Sequence, residues 1–180
     1  VSGWQGRPMQ IGPARPADLA AIAALHAANW RQGYAGVLPE TALGAPLEAF
    51  MAARWLPEAL RGDAVLAAWR NGRLIGFAAM EPDGAGGLHL DNLHVAPDHR
   101  GTGAGRALMA AVARRAGAGR LWLTVVETNH AARALYRHWG GREGPAVEDR
   151  LLGCPVTMRR VGWDSGDALA TRLERAGAIR

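Results

Sequence analysis

The segment NLHVAPDHRGTGAGRALMAAVARR, residues 92–115, decides the fold that this sequence predicts. An apolar run ends at Pro97, a loop with three glycines in five residues follows, and an alanine-rich segment with helical periodicity comes next. The pattern predicts a strand, a glycine-rich turn and a helix that ends before Gly117. Such a turn exposes consecutive backbone N–H groups at the positive end of a helix dipole, an arrangement that binds phosphate groups. We therefore expect an anionic ligand at residues 100–105.

Two common glycine loops fit this segment poorly. A P-loop requires Gly-Lys-Ser/Thr at its end, whereas Gly105 is followed by Arg106 and Ala107. A dinucleotide-binding fold places its glycines after the first strand, with an acidic residue about 20 positions later. Here at least three predicted strands precede the loop, and Thr124 and Val125 occupy the region of that acidic residue. The expected anion site therefore belongs to another class.

The composition is that of an ordinary globular domain with a basic charge. The chain has 180 residues, 49% of them apolar, which is enough for one domain with a real core. All 21 basic residues are arginine and the net charge is +5, for which both GC-rich coding and an anionic ligand are explanations. Scattered arginines and 6% aromatic residues disfavour a nucleic-acid partner.

The lack of a recognisable targeting signal also favours an ordinary intracellular protein. No stretch approaches the roughly 20 apolar residues of a membrane span, and the N-terminal residues lack the apolar core of a secretion signal. The single cysteine, Cys154, excludes an intramolecular disulfide. We expect a cytoplasmic protein without a membrane partner.

The remaining segments predict a mixed α/β fold. Helices are predicted at residues 16–29, at 39–60 with breaks near Gly44 and Pro57, and at 129–139, where Asn129 caps the start. Strands are predicted at 64–80, as a hairpin turning at residues 71–72, and at 87–95, 120–126 and 151–161. Within the last of these, Pro155 indicates an edge strand or a bulge. From residue 163 onward the chain predicts an appended helix, docked or free.

Two motifs in this order resemble those of the GCN5-related N-acetyltransferases (GNAT). The loop VAPDHRGTGAGRAL is similar to the family's Arg/Gln-x-x-Gly-x-Gly/Ala signature preceded by Val-x-Pro. The segment NHAARALYRHWGG resembles Asn-x-x-Ala-x-x-Leu-Tyr-x-x-x-Gly. The residues that match are Arg100, Gly103, Gly105, Asn129, Ala132, Leu135, Tyr136 and Gly140.

The resemblance covers roughly residues 9–161 and implies a particular architecture. It implies a mixed, mostly antiparallel, splayed sheet of six to seven strands flanked by about four helices. We therefore expect a domain over residues 1–162 and an appended C-terminal helix or tail over residues 163–180.

The resemblance further implies acetyl-CoA as co-substrate. The loop N–H groups would hold its pyrophosphate, and the strand backbone would pair with the amides of its pantetheine arm. Asn129 has a second interpretation as a helix cap only, and Arg100 and Arg106 as surface arginines. The expected cofactor contacts are Leu93, His94, Val95, Arg100, Gly101, Thr102, Gly103, Ala104, Gly105, Arg106, Asn129, Ala132 and Tyr136.

Tyr136 is the predicted general acid, because a phenol can supply a proton to the departing thiolate. The general base stays open. Ribosomal-protein acetyltransferases of this family have a glutamate where this chain has Thr124, so Glu127, Asp91, His94, His89 and a water chain are the alternatives. Imidazole suits proton transfer near neutral pH, although a strand histidine has a structural interpretation too.

The acceptor is expected to be a primary amine that attacks the thioester directly. Serine occurs only at positions 2 and 165, and Cys154 precedes a proline in an apolar strand, so the chain offers no obvious nucleophile. Trp30 and Tyr34 could line the acceptor side, and no histidine pair has a metal-binding spacing. An inactive CoA-binding sensor is the alternative function, and a homodimer is a possible assembly.

Overall fold

A computed structural model describes residues 8–178 of the protein. The expectations for the N-terminal segment, serine 2 included, and for residues 179–180 lie outside these residues. The strands of the described chain are β1 Gln10–Pro13, β2 Val65–Arg70, β3 Arg73–Pro82, β4 Leu88–Val95, β5 Leu121–Val126, β6 Arg142–Leu151 and β7 Cys154–Trp163. The α-helices are α1 Leu19–Gly33, α2 Ala45–Arg54, α3 Ala104–Ala116, α4 His130–His138 and α5 Gly166–Ala178.

All seven of these strands form one sheet in the order β1-β2-β3-β4-β5-β7-β6. Every neighbouring pair is antiparallel except β4 and β5. The turn between β2 and β3 has positive φ angles at Asn71 and Gly72, as a two-residue hairpin turn of this type requires. The predicted mixed, mostly antiparallel sheet and its hairpin are confirmed.

The sheet is splayed between its two parallel strands. β4 and β5 pair only through Leu88 with Leu121 and His89 with Trp122, at the strands' N-terminal ends. Beyond these pairs the strands separate, so the C-terminal halves of both have backbone edges that face a gap. A gap of this kind gives a ligand access to the middle of the sheet.

Each face of the sheet is covered by two helices and has its own core. α3 and α5 cover one face, where Leu108, Val112 and Leu173 are almost fully buried. α1 and α2 cover the other face, where Ile22 and Leu47 are fully buried. The gap between β4 and β5 therefore lies in a rigid three-layer framework.

The end of the chain contains one strand that the sequence does not predict, and β7 is not the edge strand of the sheet. The segment before residue 151 is strand β6, which the sequence does not suggest, because most of its residues are charged or exposed. β6 is the edge strand, and β7, which contains Pro155, lies between β5 and β6. Pro155 is tolerated there because β5 pairs with β7 only from Met158 onward, so no β5 partner needs its missing N–H.

Helix α5 is docked rather than free. It packs on α3, and its Leu169, Ala170 and Leu173 are part of the same core as α3. Its first residue approaches α3 closely, and the Gly166 N–H donates to the Gly119 carbonyl at 3.0 Å. The division of the chain at residue 162 stays a prediction, and α5 buries apolar surface that the rest of the domain would otherwise expose.

Candidate active site

A large cleft opens where β4 and β5 separate. Its volume is about 1140 Å³. It runs from the glycine loop, past the free edges of β4 and β5, to the aromatic side chains of α1. The residues that line it include Asn29, Trp30, Tyr34, Asp91, Leu93, His94, Val95, Arg100, Gly101, Thr102, Gly103, Gly105, Arg106, Thr124, Asn129, Ala132 and Tyr136. Most of the predicted site residues thus meet at one place.

The glycine loop forms an anion-binding helix start. Gly101 and Gly103 have φ angles of +74° and +88°, which side-chain-bearing residues rarely adopt. Gly103 is the residue that caps α3, and it offers no side chain to the first N–H groups of the helix. Ala104 is buried, so only its backbone faces the loop, and Thr102 Oγ1 is bonded to the His99 carbonyl at 2.7 Å. The open N–H groups and the helix dipole fit a diphosphate.

The β4 backbone reaches the cleft at a bulge. The register between β3 and β4 passes from Ala79–Asn92 to Met80–Leu90, which leaves Asp91 as an extra residue. Bulges bend a strand and change the direction of its side chains. Beyond the bulge, the backbone of Leu93, His94 and Val95 runs along the gap. Its free N–H and C=O groups can pair there with the amide groups of an extended ligand.

Asn29, which no sequence motif marks, joins α1 to this region. Its side chain is buried, its Oδ1 accepts from Arg100 Nη2 at 2.9 Å, and its Nδ2 donates to the Val95 carbonyl at 3.1 Å. The Arg100 guanidinium is therefore held by the protein. The signal in the sequence is a lone asparagine in the apolar helix segment HAANW, whose partners are more than 60 residues away.

Other predicted cofactor residues have structural partners as well. Asn129 Oδ1 accepts from the Ala132 N–H at 3.1 Å and caps α4. Arg106 Nη1 donates to the Ala176 carbonyl at 3.0 Å, at the C-terminal end of α5. Leu135, a residue of the second motif, is 42% exposed and lines the cleft rather than the core.

Tyr136 lies half-buried in the cleft wall. Its ring packs edge-to-face against Trp163 with centroids 6.1 Å apart. Burial, with a smaller contribution from Tyr34, raises the pKa of the Tyr136 hydroxyl to about 12. The phenol is therefore protonated throughout the physiological pH range and available as a hydrogen-bond donor.

The candidate bases differ in their surroundings. Glu127 directly follows β5, and its Oε1 accepts two hydrogen bonds from Arg159 at 2.9 and 2.6 Å. Asp91 and His94 line the cleft, and the Asp91 carboxylate pairs with Arg54 at 3.0 Å. Thr124 lines the cleft too, and its hydroxyl cannot act as a base at neutral pH.

His94 is neutral at physiological pH. Burial, with a smaller contribution from Arg100, lowers its pKa to about 4. Asn29 Nδ2 lies 3.4 Å from its Nδ1. His89 does not line the cleft; its ring stacks on Trp122 and its Nδ1 contacts Glu81 at 3.1 Å.

Aromatic side chains form the opposite end of the cleft. Trp30 stacks on Phe50 with centroids 5.4 Å apart and meets the Tyr34 ring edge-on at 5.0 Å. Beneath them lies His26, a buried imidazole that no sequence motif marks. Aromatic rings in a cleft that a carboxylate such as Asp91 also lines form a surface on which an amine can bind.

The described part of the chain shows neither a metal-ligand cluster nor a membrane-spanning helix. Among residues 8–178, no cluster of three or more histidine, cysteine, aspartate or glutamate side chains could hold a metal ion. None of the helices in the same residues has the length and apolar character needed to cross a membrane.

Comparisons with known proteins agree with this geometry. The sequence model of the Acetyltransferase (GNAT) family matches residues 22–140. A segment of 74 residues, 39% of this chain, is 45% identical to streptothricin acetyltransferase of Streptomyces lavendulae and spans 39% of that protein.

Solved structures extend the likeness to most of the chain. PaiA N-acetyltransferase of Thermoplasma acidophilum, in complex with coenzyme A, superimposes with a TM-score of 0.70 at 18% identity over 85% of this chain and 98% of its own. Ribosomal-protein-alanine N-acetyltransferase of Brucella melitensis has a TM-score of 0.67 at 26% identity over 86% of this chain and 99% of its own.

Proposed function

Because the chain belongs to the GNAT acetyltransferase family, we propose that it transfers an acetyl group from acetyl-CoA directly to a primary amine. The observation that carries this proposal is the cleft itself. An uncapped helix start at Gly103, a free strand edge at residues 93–95 and the Tyr136 hydroxyl all border one continuous space. These features suit, in order, the diphosphate, the amide-bearing arm and the thioester of one extended ligand.

Acetyl-CoA, when bound, supplies the acetyl group as a thioester. The N–H groups of Gly103, Ala104 and Gly105 would hold its diphosphate, because the first N–H groups of a helix have no partner within the helix. The edge of β4 would pair with the pantetheine amides as an additional strand does. Asn129 would add a contact from the start of α4 on the other side of the gap.

The amine would enter from the aromatic end and attack the thioester carbonyl, with formation of a C–N bond and cleavage of the C–S bond. The departing sulfur needs a proton, and Tyr136 is the donor. Burial raises the pKa of Tyr136 and also favours the neutral form of a thiol in the same site, so the phenol stays protonated until the thiolate forms. Solvent then restores the phenol.

The proton that the amine loses needs an acceptor. Asp91 and His94 line the cleft, whereas Glu127, whose Oε1 is held by Arg159, does not. We assign this proton to Asp91 or His94, directly or through water, and their substitution by asparagine and glutamine separates the two.

The acceptor is a small-molecule amine or an amine of a peptide or protein. The similarity to streptothricin acetyltransferase favours a small molecule, and the absence of a glutamate at position 124 argues in the same direction. A homodimer and a cytoplasmic location stay predictions.

The test is thiol release from acetyl-CoA across a panel of amines, for the wild type, Tyr136→Phe and Tyr34→Phe. Tyr136→Phe keeps an aromatic ring against Trp163 and removes only the hydroxyl, so the expected result is a loss of at least about ten-fold in kcat. Tyr34→Phe, the matched control, should lose much less. Coenzyme A binding by calorimetry, without release for any amine, would favour the inactive sensor.

A further inference from the structure

One buried group in the acceptor end of the cleft has no role in the steps above. His26 lies on α1 and is 1% exposed. Its ring is surrounded by other rings, with centroids 5.3 Å from Trp30, 5.7 Å from Trp55 and 4.6 Å from His94. It also borders the cleft.

The hydrogen bond on one side of His26 fixes the position of its proton. Trp55 Nε1 lies 3.1 Å from His26 Nδ1. An indole N–H only donates, so Nδ1 must accept and carries no proton. The neutral ring therefore has its proton on Nε2.

Burial keeps the ring neutral. Desolvation, with smaller contributions from His94 and Arg54, lowers the pKa of His26 to about 2. His26 is thus an uncharged donor at any physiological pH and offers one N–H group.

That N–H group has no partner in the described part of the chain. The Nε2 atom is buried and makes no hydrogen bond with any residue from 8 to 178. Buried polar groups are almost always hydrogen-bonded, and an unpaired one costs about 1–3 kcal/mol. The rings packed around it, those of Trp30, Trp55, Phe77 and His94, give Nε2 no hydrogen bond, and His26 lines the cleft, so the cleft is the place from which a partner can come.

We propose that the His26 Nε2–H group is a specificity-determining donor for an oxygen atom of the acceptor, a carbonyl or hydroxyl close to the reacting amine. The inference rests on the proposed acetyl transfer. A donor cannot bind the ammonium group itself, which suits the aromatic rings and Asp91 instead. The site therefore prefers amines that carry a neighbouring oxygen over plain alkylamines, because only the former pair with the buried N–H.

Kinetics with glycinamide and n-propylamine test this preference. His26→Phe keeps a ring but removes both the Nε2 donor and the Nδ1 acceptor of Trp55, and we expect it to lower kcat/KM for glycinamide roughly five- to ten-fold, the value of one neutral hydrogen bond. The loss with propylamine should be much smaller, because that amine has no oxygen to pair with Nε2. His26→Gln retains an N–H donor and should recover part of the loss. Equal losses with both amines would overturn the inference.

Nuclear magnetic resonance of the wild-type protein with ¹⁵N-labelled histidine gives a readout that needs neither a stable variant nor turnover. The expected result is a proton on His26 Nε2 from pH 5 to pH 8, and a shift of that resonance on addition of glycinamide but not propylamine. A proton on Nδ1, or no difference between the two amines, contradicts the proposal. Absence of thiol release with any amine would count against acetyl transfer alone, since this titration would still decide the role of His26.

Discussion

Replacement of Asn29 by alanine should weaken both the fold and the binding of acetyl-CoA. The side chain is buried and joins α1 to the Arg100 guanidinium and to the Val95 carbonyl. A hydrogen bond to a charged group contributes about 1.5–3 kcal/mol and a neutral one about 0.5–1.5 kcal/mol. Arg100 is exposed and regains water, and the Val95 carbonyl faces the cleft, so we expect a net loss of about 2 kcal/mol in the free energy of unfolding.

For a domain of this size, that loss corresponds to a decrease of about 4–8 °C in Tm. The same substitution releases the Arg100 side chain and with it the loop that leads to Gly103. We expect the Kd for coenzyme A to rise several-fold, since the loop N–H groups would no longer be held in their binding arrangement.

Urea unfolding and calorimetry with coenzyme A measure the two effects, with Gln32→Ala as the matched control. Gln32 is an exposed amide on the same helix, and its removal should change the free energy of unfolding by less than about 0.5 kcal/mol. If Asn29→Ala had the stability and the Kd of Gln32→Ala, the coupling between α1 and the loop would be refuted.

Three further substitutions test the loop, the histidines and the C-terminal helix. Gly105→Ala should leave the free energy of unfolding unchanged or slightly raised, because its Cβ would meet only Val95 Cγ2 at 3.5 Å, yet it should raise the Kd for coenzyme A; equal affinity would show that no anion approaches this position. The pKa values of His26 and His94 are lowered to about 2 and about 4 from 6.5, so the unfolded chain binds protons first and stability falls as pH drops below about 6.5. Urea unfolding should show a loss of about 1 kcal/mol per histidine between pH 7 and 5.5, and His26→Phe should show a smaller pH dependence than the wild type; equal slopes would contradict this. Leu173→Ala should cost about 2–5 kcal/mol in denaturant unfolding, and a loss below about 1 kcal/mol would indicate that α5 is an appendage.

Features with a local cause could be predicted from the sequence. The left-handed positions Asn71, Gly72 and Gly103 are set by what a glycine or asparagine permits, so the hairpin and the loop were both evident. Strand β6 has no such signal. Its residues are mostly exposed on both faces, and its pairing with β7 depends on the tertiary structure.

The missed site residues share one physical reason. Asn29 and His26 are polar residues in an apolar helix, where the sequence alone indicates core or surface. Their roles come from partners distant in the chain, Arg100 and Val95 for Asn29 and Trp55 for His26. The sequence gives several candidate bases for a related reason, since the environment of a carboxylate or imidazole is set by packing and not by motif spacing.

The spacing of these two residues connects the two ends of the cleft. His26 and Asn29 are three positions apart on α1, so they lie on one face of the helix. Asn29 contacts the loop proposed to bind the donor, and His26 borders the proposed acceptor end. A displacement of α1 therefore moves both together, because a helix transmits motion as a rigid unit. Substitutions in the buried face of α1, such as at Ile22, should change the KM for acetyl-CoA and the KM for the amine in parallel, whereas substitutions in the loop should change only the former.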